Sequence, residues 1–135
     1  MSKVLDLNKQ PLANSYLTNN KIKEKKYELK VNVCIKCTHL QLSIAVSPDK
    51  IYRKYDYVSG TTHTYKNFMK KFYTFCIKNN KKLIYKNILD IGCNDGSQLD
   101  IFKSNKFKTF GVDPAKNIYK ISSKKHKIIC DFFTE

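Results

Sequence analysis

The stretch that most constrains this chain runs from Asn87 to Phe102, NILDIGCNDGSQLDIF, and its pattern repeats toward the carboxyl end. A short apolar run ends in a turn carrying Gly92 and Gly96, and SQLDIFKSN then takes up helical spacing. FKTFGVD reads as a second strand. PAKNIYKISSKK reads as a second helix, with Pro114 in the first-turn position that suits it, and KIICD as a third strand. Strands and helices alternating at this interval fold as parallel βαβ units, so the expected class is α/β.

Composition narrows the function classes. A chain of 135 residues fits one ordinary domain, or a small module plus part of a larger one. It lacks a run of about 18 apolar residues and the charged-then-apolar order of a secretory leader. The expectation is a cytoplasmic protein without a membrane partner. The net charge of +15 would draw nucleic acid or anionic lipid if gathered on one face, yet Arg53 is the only arginine. Base and phosphate readout favours the bidentate guanidinium, so a lysine excess reads first as a solvated surface. Five cysteines, an odd number, argue against a disulfide framework.

The amino-terminal part is patterned differently. LDLNKQPLANSYL, with Pro11 and an Asn-rich end, reads as irregular structure around a few apolar anchors. YELKVNVCIKCTHLQLSIAV alternates apolar and polar residues on both sides of its cysteines, the period of a hairpin with CIKC at the turn. After a Ser-Gly-Thr-Thr turn, Tyr65, Phe68, Met69, Phe72 and Cys76 recur at helical spacing opposite lysines. That pattern reads as a helix capped by Thr62 or Thr64 and ending near Asn79, its apolar stripe facing the core.

In open α/β sheets, ligands bind beyond the carboxyl ends of the strands. Here the first strand ends at Asp90, followed by Gly92, Asn94, Asp95 and Gly96. Glycines admit a ligand close to the backbone, and the next helix offers unpaired N–H groups. The spacing is G-x-x-x-G, short of the dinucleotide fingerprint. Asp113 ends the second strand, where an acid can accept both hydroxyls of a ribose. Asp131 ends the third beside Phe132 and Phe133, suited to an adenine edge and its stacking surface. Three acids at successive strand ends, without a phosphate-binding lysine in the loop, suit a cofactor bearing adenosine but no phosphate. S-adenosylmethionine (SAM) is such a molecule. The competing reading is that these acids only end strands and cap helices.

Cys34 and Cys37 have the spacing of half a zinc site, which takes four soft ligands in a tetrahedral cage. A second such pair is missing from the sequence, and His39 and His63 are poorly spaced substitutes. Two ordinary reduced cysteines are the alternative.

VLDLNKQPLANSYL, VNVCIKCTHLQL, YDYVSGTT, NILDIGCNDGSQL, GVDPAKN and DFF occur in an order that resembles the SAM-dependent C-methyltransferases of nucleotide-sugar biosynthesis. Those proteins join a zinc-binding module to a Rossmann-like methyltransferase domain and a further domain, and they methylate a ring carbon of a nucleotide-linked keto-sugar. The resemblance implies that Asp90, Gly92, Asn94, Asp95 and Gly96 surround the methionine end of SAM. It places Asp113 on the ribose, Asp131 and Phe132 on the adenine, and Tyr55, Tyr57 and Ser59 near the pocket. Cys34 and Cys37 match the family's second zinc-binding pair. The first pair lies upstream of LDL…QPLAN in the family, and Phe68 stands where members often carry a histidine.

The resemblance also implies a truncated chain. The expected organisation is an incomplete zinc-knuckle-like, mainly β module over 1–62, followed by the first part of a Rossmann-like methyltransferase domain over 63–135. The sugar pocket and the base that deprotonates carbon beside the keto group lie in the family's later part, so no catalytic residue is assigned and His39, His63 and His126 are read as structural or exposed. The expected partners are a nucleotide-sugar substrate, once the site is completed, and a complementary C-terminal chain. A reading from another class is a non-catalytic nucleic-acid-binding module built on Lys66, Lys70, Lys71, Lys78, Lys81, Lys82 and Lys86, a run without an acid.

Overall fold

The computed structural model describes residues 1–19, 21–80 and 86–134. The chain divides into two compact units, Met1–Ile51 and Tyr52–Glu135. Residues 52–62, which the sequence pattern joins to the first module, belong with the second unit.

The first unit is an antiparallel sheet of β1 (Ser2–Pro11), β2 (Lys26–Val33) and β3 (Leu40–Leu42), in that order. The hairpin expected around CIKC is present, with Val33 opposite Leu40. The expectation of irregular structure before it is corrected: LDLNKQP is part of a ten-residue strand. Its partner is β2, which pairs Leu5 with Val31 and Asp6 with Lys30. The register slips between Asp6 and Lys9, where Asn8 adopts φ 58° and donates its N–H to Asp6 Oδ1 at 3.0 Å. Pro11 is tolerated because it is the last residue of an edge strand.

A short helix α1 (Pro48–Tyr52) has its last residue at the start of the second unit, and a 3-10 turn covers Ser59–Thr61. Helix α2 runs from His63 to Asn79 and is capped as expected by Thr62, whose hydroxyl accepts the Tyr65 N–H. Next come β4 (Asn87–Ile91), α3 (Ser97–Ser104), β5 (Lys108–Val112), α4 (Lys116–Ser122) and β6 (Lys127–Ile129). The three strands form a parallel sheet ordered β4-β5-β6. The chain is therefore mixed α/β, with one antiparallel and one parallel three-stranded sheet. Helix α4 starts two residues later than the sequence suggests: Pro114 lies ahead of its cap, Ala115.

Leu99, Phe102, Phe107, Ile118 and Met69 are buried and form the core of this unit. Phe102 meets Tyr73 and Phe107 edge-on, at 5.1 and 5.5 Å between ring centroids. Periodicity alone would make the stripe on α2 core along its length, and here the structure differs. Met69 is buried against α3, while Tyr65, Phe68 and Phe72 are exposed, as is Phe75. The apolar arc of α2 is wider than the helix it packs on. The sheet shows a similar surplus: Leu89, Ile91 and Ile129 are exposed, and Leu89 and Ile129 border, with Phe110 and Val112, an open apolar trough of about 490 Å³.

Candidate cofactor edge and thiol pair

The carboxyl ends of the three parallel strands stand level. Ile91, Val112 and Ile129 are register partners, and the ladder continues as Gly92 N–H donates to Val112 C=O and Asp113 N–H to Ile129 C=O. The glycine loop and the strand-end acids named from the sequence thus share one edge of the sheet. Gly92 has φ 78°, and a Cβ built on it would meet nothing within 4 Å. Its left-handed backbone favours glycine, and the open space beside it lets a ligand reach the main chain. Gly96, at φ 79°, has no such space, since a Cβ there would lie 2.8 Å from His126 Cδ2.

Charge is crowded along this edge. Burial, and then the charge of Asp113, push the Asp90 carboxyl above its ordinary value. The buried Cys93 thiol is pushed up to about 12, first by burial and then by Asp113, Asp90 and Asp95. Such surroundings favour the neutral thiol, which packs beneath the sheet end against Gly111. A cationic ligand would relieve this accumulation of negative charge.

Asp113 is buried and organises two loops at once. Its Oδ2 accepts the Asn94 N–H at 2.8 Å and its Oδ1 the Ala115 N–H at 2.9 Å. An ionised carboxylate offers about four acceptor positions, so these bonds leave capacity for hydroxyls of a ligand.

Asn94 and Asp95 lie in the loop, but their side chains reach the segment Arg53–Gly60. Asn94 Nδ2 donates to Tyr57 C=O at 3.0 Å, and its Oδ1 accepts the Ser59 N–H at 2.9 Å. Asp95 Oδ2 accepts the Gly60 N–H and the Ser97 hydroxyl. Asn117 repeats the pattern on Tyr55, donating to its C=O at 2.8 Å and accepting its N–H at 3.0 Å. Two asparagine amides thereby act as short stand-ins for strand pairing. They strap residues 53–60 along the carboxyl edge of the sheet, which puts Tyr55, Tyr57 and Ser59 beside the loop.

Asp131 and Phe132 lie just beyond β6, and both meet Arg53. Its guanidinium pairs with Asp131 Oδ1 at 2.9 Å and stacks over the Phe132 ring at 4.7 Å. Asp131 is held below the ordinary carboxylate range, first by the Phe132 N–H and then by Arg53. Neither Arg53 nor Asn117 is marked as a site residue by the sequence motifs. The one available signal is that Arg53 is the only arginine in a lysine-rich chain.

Cys34 and Cys37 sit at the β2–β3 turn. The Cys34 N–H donates to His39 C=O, and Cys34 C=O accepts the Thr38 N–H. The Cys34 thiol is held below its ordinary value by the Cys37 N–H, then by the Lys36 N–H and the Cys37 thiol. Main-chain donors aimed at sulfur suit a metal-bound thiolate. Among the described residues, however, no group of three or more His, Cys, Asp or Glu side chains could hold a metal. The pair fits half of a zinc site, and His39 does not extend it. The remaining cysteines are dispersed: Cys76 on α2, Cys93 beneath the glycine loop and Cys130 after β6.

Of the seven lysines that could form a nucleic-acid ridge, Lys66, Lys70, Lys71 and Lys78 lie on α2 and Lys86 precedes β4. Lys81 and Lys82 lie outside the described residues. Among the described residues, no helix is long and apolar enough to cross a membrane.

Comparison with known proteins bears on both units. Residues 1–52 match the model of a methyltransferase-associated family described as "Putative zinc binding domain". A longer stretch is similar to the C-methyltransferase NovU of Streptomyces niveus, at 26% identity over 97 residues. That alignment takes in 72% of this chain and 23% of NovU, so the chain spans about a quarter of that relative. Together the two matches support an amino-terminal module of the methyltransferase kind.

Proposed function

We propose that this chain is the amino-terminal portion of a SAM-dependent C-methyltransferase acting on a nucleotide-linked keto-sugar, and that the β4–β6 edge is its cofactor site within a Rossmann-like sheet. The observation that carries the reading is the juxtaposition of Gly92, with open space at its left-handed backbone, and the acids at the ends of β4 and β5. SAM fits this edge chemically. It presents a sulfonium and an ammonium to a carboxylate-rich loop, a ribose to Asp113, and an adenine to Asp131 and Phe132. When bound it would supply an activated methyl group. This chain's residues would orient it: Gly92 by close approach, Asp90 and the loop by charge, Asp113 by accepting hydroxyls.

The trough bordered by Leu89, Phe110 and Ile129 supports the view that more protein completes the domain. Parallel sheets are ordinarily covered on both faces. In this reading, further helices of the methyltransferase domain cover that face, from continuing sequence or a complementary chain, and bring the sugar pocket and the base. Zinc would be held by Cys34 and Cys37 together with two ligands from outside the described set.

The test is calorimetric titration with S-adenosylhomocysteine, the demethylated product, beside Asp90→Asn. The variant removes a charge whose burial is unfavourable, so it should fold at least as well as the parent. Binding by the parent that falls at least tenfold in the variant supports the reading. A folded parent that does not bind overturns it.

A further inference from the structure

The parallel sheet carries unlike charges at its two ends. Asp90, Asp95, Asp113 and Asp131 stand at or just beyond the carboxyl ends of the strands. At the opposite end Lys108 and Lys127 open β5 and β6, Lys103 lies in the last turn of α3, and Lys124 and Lys125 lie between α4 and β6. These five lysines border one hollow of about 510 Å³, lined also by the buried Phe107, Thr109 and His126. Among the described residues, no acidic side chain lines it.

Local structure accounts for part of this gathering. Lys125 Nζ pairs with Asp100 Oδ2 at 2.9 Å, Lys103 Nζ donates to the Lys125 C=O, and Lys127 Nζ lies 5.8 Å from the centre of the Phe110 ring. The ammonium groups of Lys108 and Lys124 have no ion-pair or hydrogen-bond partner among the described residues, and both side chains are exposed at the rim. Cations held around one concavity repel one another, and an anion seated between them removes that repulsion. Lysine serves phosphate as a point charge, without the fixed fork that a guanidinium brings to base readout. Ser123, in the same lining, adds a hydroxyl donor. The volume falls within the roughly 300–1,000 Å³ of small-molecule sites. Several cations around a space of that size suit a ligand that carries several negative charges on few atoms.

We propose that this hollow binds the polyphosphate group of a small molecule, inorganic polyphosphate or the phosphate tail of a nucleotide, with Lys108 and Lys124 as the residues that take it. The site lies at the end of the sheet away from the glycine loop. It is therefore separate from the cofactor edge and does not rest on the methyltransferase reading.

The experiment titrates the full chain calorimetrically with tripolyphosphate, ATP and AMP, without magnesium, at low and moderate salt. Lys108→Gln/Lys124→Gln removes the two unpartnered charges. Lys70→Gln/Lys71→Gln removes the same net charge from exposed positions on α2 that do not line the hollow. The parent should bind tripolyphosphate, the first variant should bind it about tenfold more weakly, and the second should stay within about twofold of the parent. AMP should bind at least about tenfold more weakly than ATP, and salt should weaken binding throughout. ATP no tighter than tripolyphosphate assigns the site to phosphate alone, and tighter ATP assigns it to a nucleotide; either supports the proposal. Unchanged binding by the first variant, or an equal loss in the second, would mean attraction by net charge without a site and overturns it. AMP as tight as ATP, or a folded parent that binds neither polyphosphate, overturns it as well.

Discussion

In the first unit none of the described residues is buried, whereas in the second Leu99 and Ile118 are 0% and 1% exposed and a connected set of aromatic rings adds to the core. The first unit holds its shape by a hydrogen-bonded ladder and surface pairs such as Asp6–Lys30. Ladders and exposed pairs add little net stability, and units of this size commonly draw on a metal or a partner. The second unit can draw on hydrophobic burial. The contrast explains why a thiol pair at the β2–β3 turn would matter: where a core is missing, a cross-link between strands supplies what packing does not.

The largest expected effect tests the core side of this comparison. Phe102→Ala should cost the second unit about 3–5 kcal/mol, by analogy with other buried phenylalanines. Leu5→Ala, at a half-exposed position in β1, should cost under about 1 kcal/mol. Denaturant unfolding followed by amide exchange in each sheet separates the two. Similar losses in both units would break the contrast.

Zinc tests the other side. If ligands beyond the described set complete the site, zinc at about 100 times its dissociation constant should add about 2.7 kcal/mol to the first unit alone. Amides of β1–β3 would become protected, those of β4–β6 would not, and Cys34→Ser or a chelator would abolish the gain. Protection spread over both sheets would refute the assignment to this turn.

Within the second unit, Asn117→Ala removes both hydrogen bonds to Tyr55 and should loosen residues 53–57 by about 1–3 kcal/mol while sparing the strands. Exchange at Tyr55 is the readout. The smallest effect concerns pH. The His126 imidazole is fully buried, its Nδ1 2.8 Å from the Thr109 hydroxyl, and burial is the first cause holding its pKa below the ordinary 6.5. The unfolded chain therefore takes up a proton at higher pH than the folded one. This contribution to stability is intact above about 6.5 and declines as pH falls through the folded value. His126→Gln should flatten that slope, and a slope unchanged by the substitution would assign it elsewhere.

Much of the second unit is legible in the sequence because its signals are local. A period of two in NILDI, a period near 3.6 in SQLDIFKS and glycines between them name strand, turn and helix without reference to distant residues. Strand β1 is not legible in this way, because LDLNKQP becomes a strand only by pairing with β2 some distance along the chain. The exposed half of the α2 stripe escapes for a related reason: periodicity shows which residues share a face, not whether a neighbour covers it. At the cofactor edge, the acids and glycines could be placed by strand-end position. The strap could not, since an asparagine side chain gives no sign that it will bind main-chain groups 35 or 62 positions away.

That strap also bears on the order in which the molecule forms. Its anchors, Asn94, Asp95 and Asn117, come into place only once β4, β5 and the start of α4 have docked, although the strap precedes them all in the chain. Closing such long loops costs entropy that the local βαβ turns avoid, so the strap should join late in folding. Contacts made late and near the surface are also among the first to open in the native state. The edge assigned to the cofactor would then be the segment of this unit with the shortest residence in its closed form.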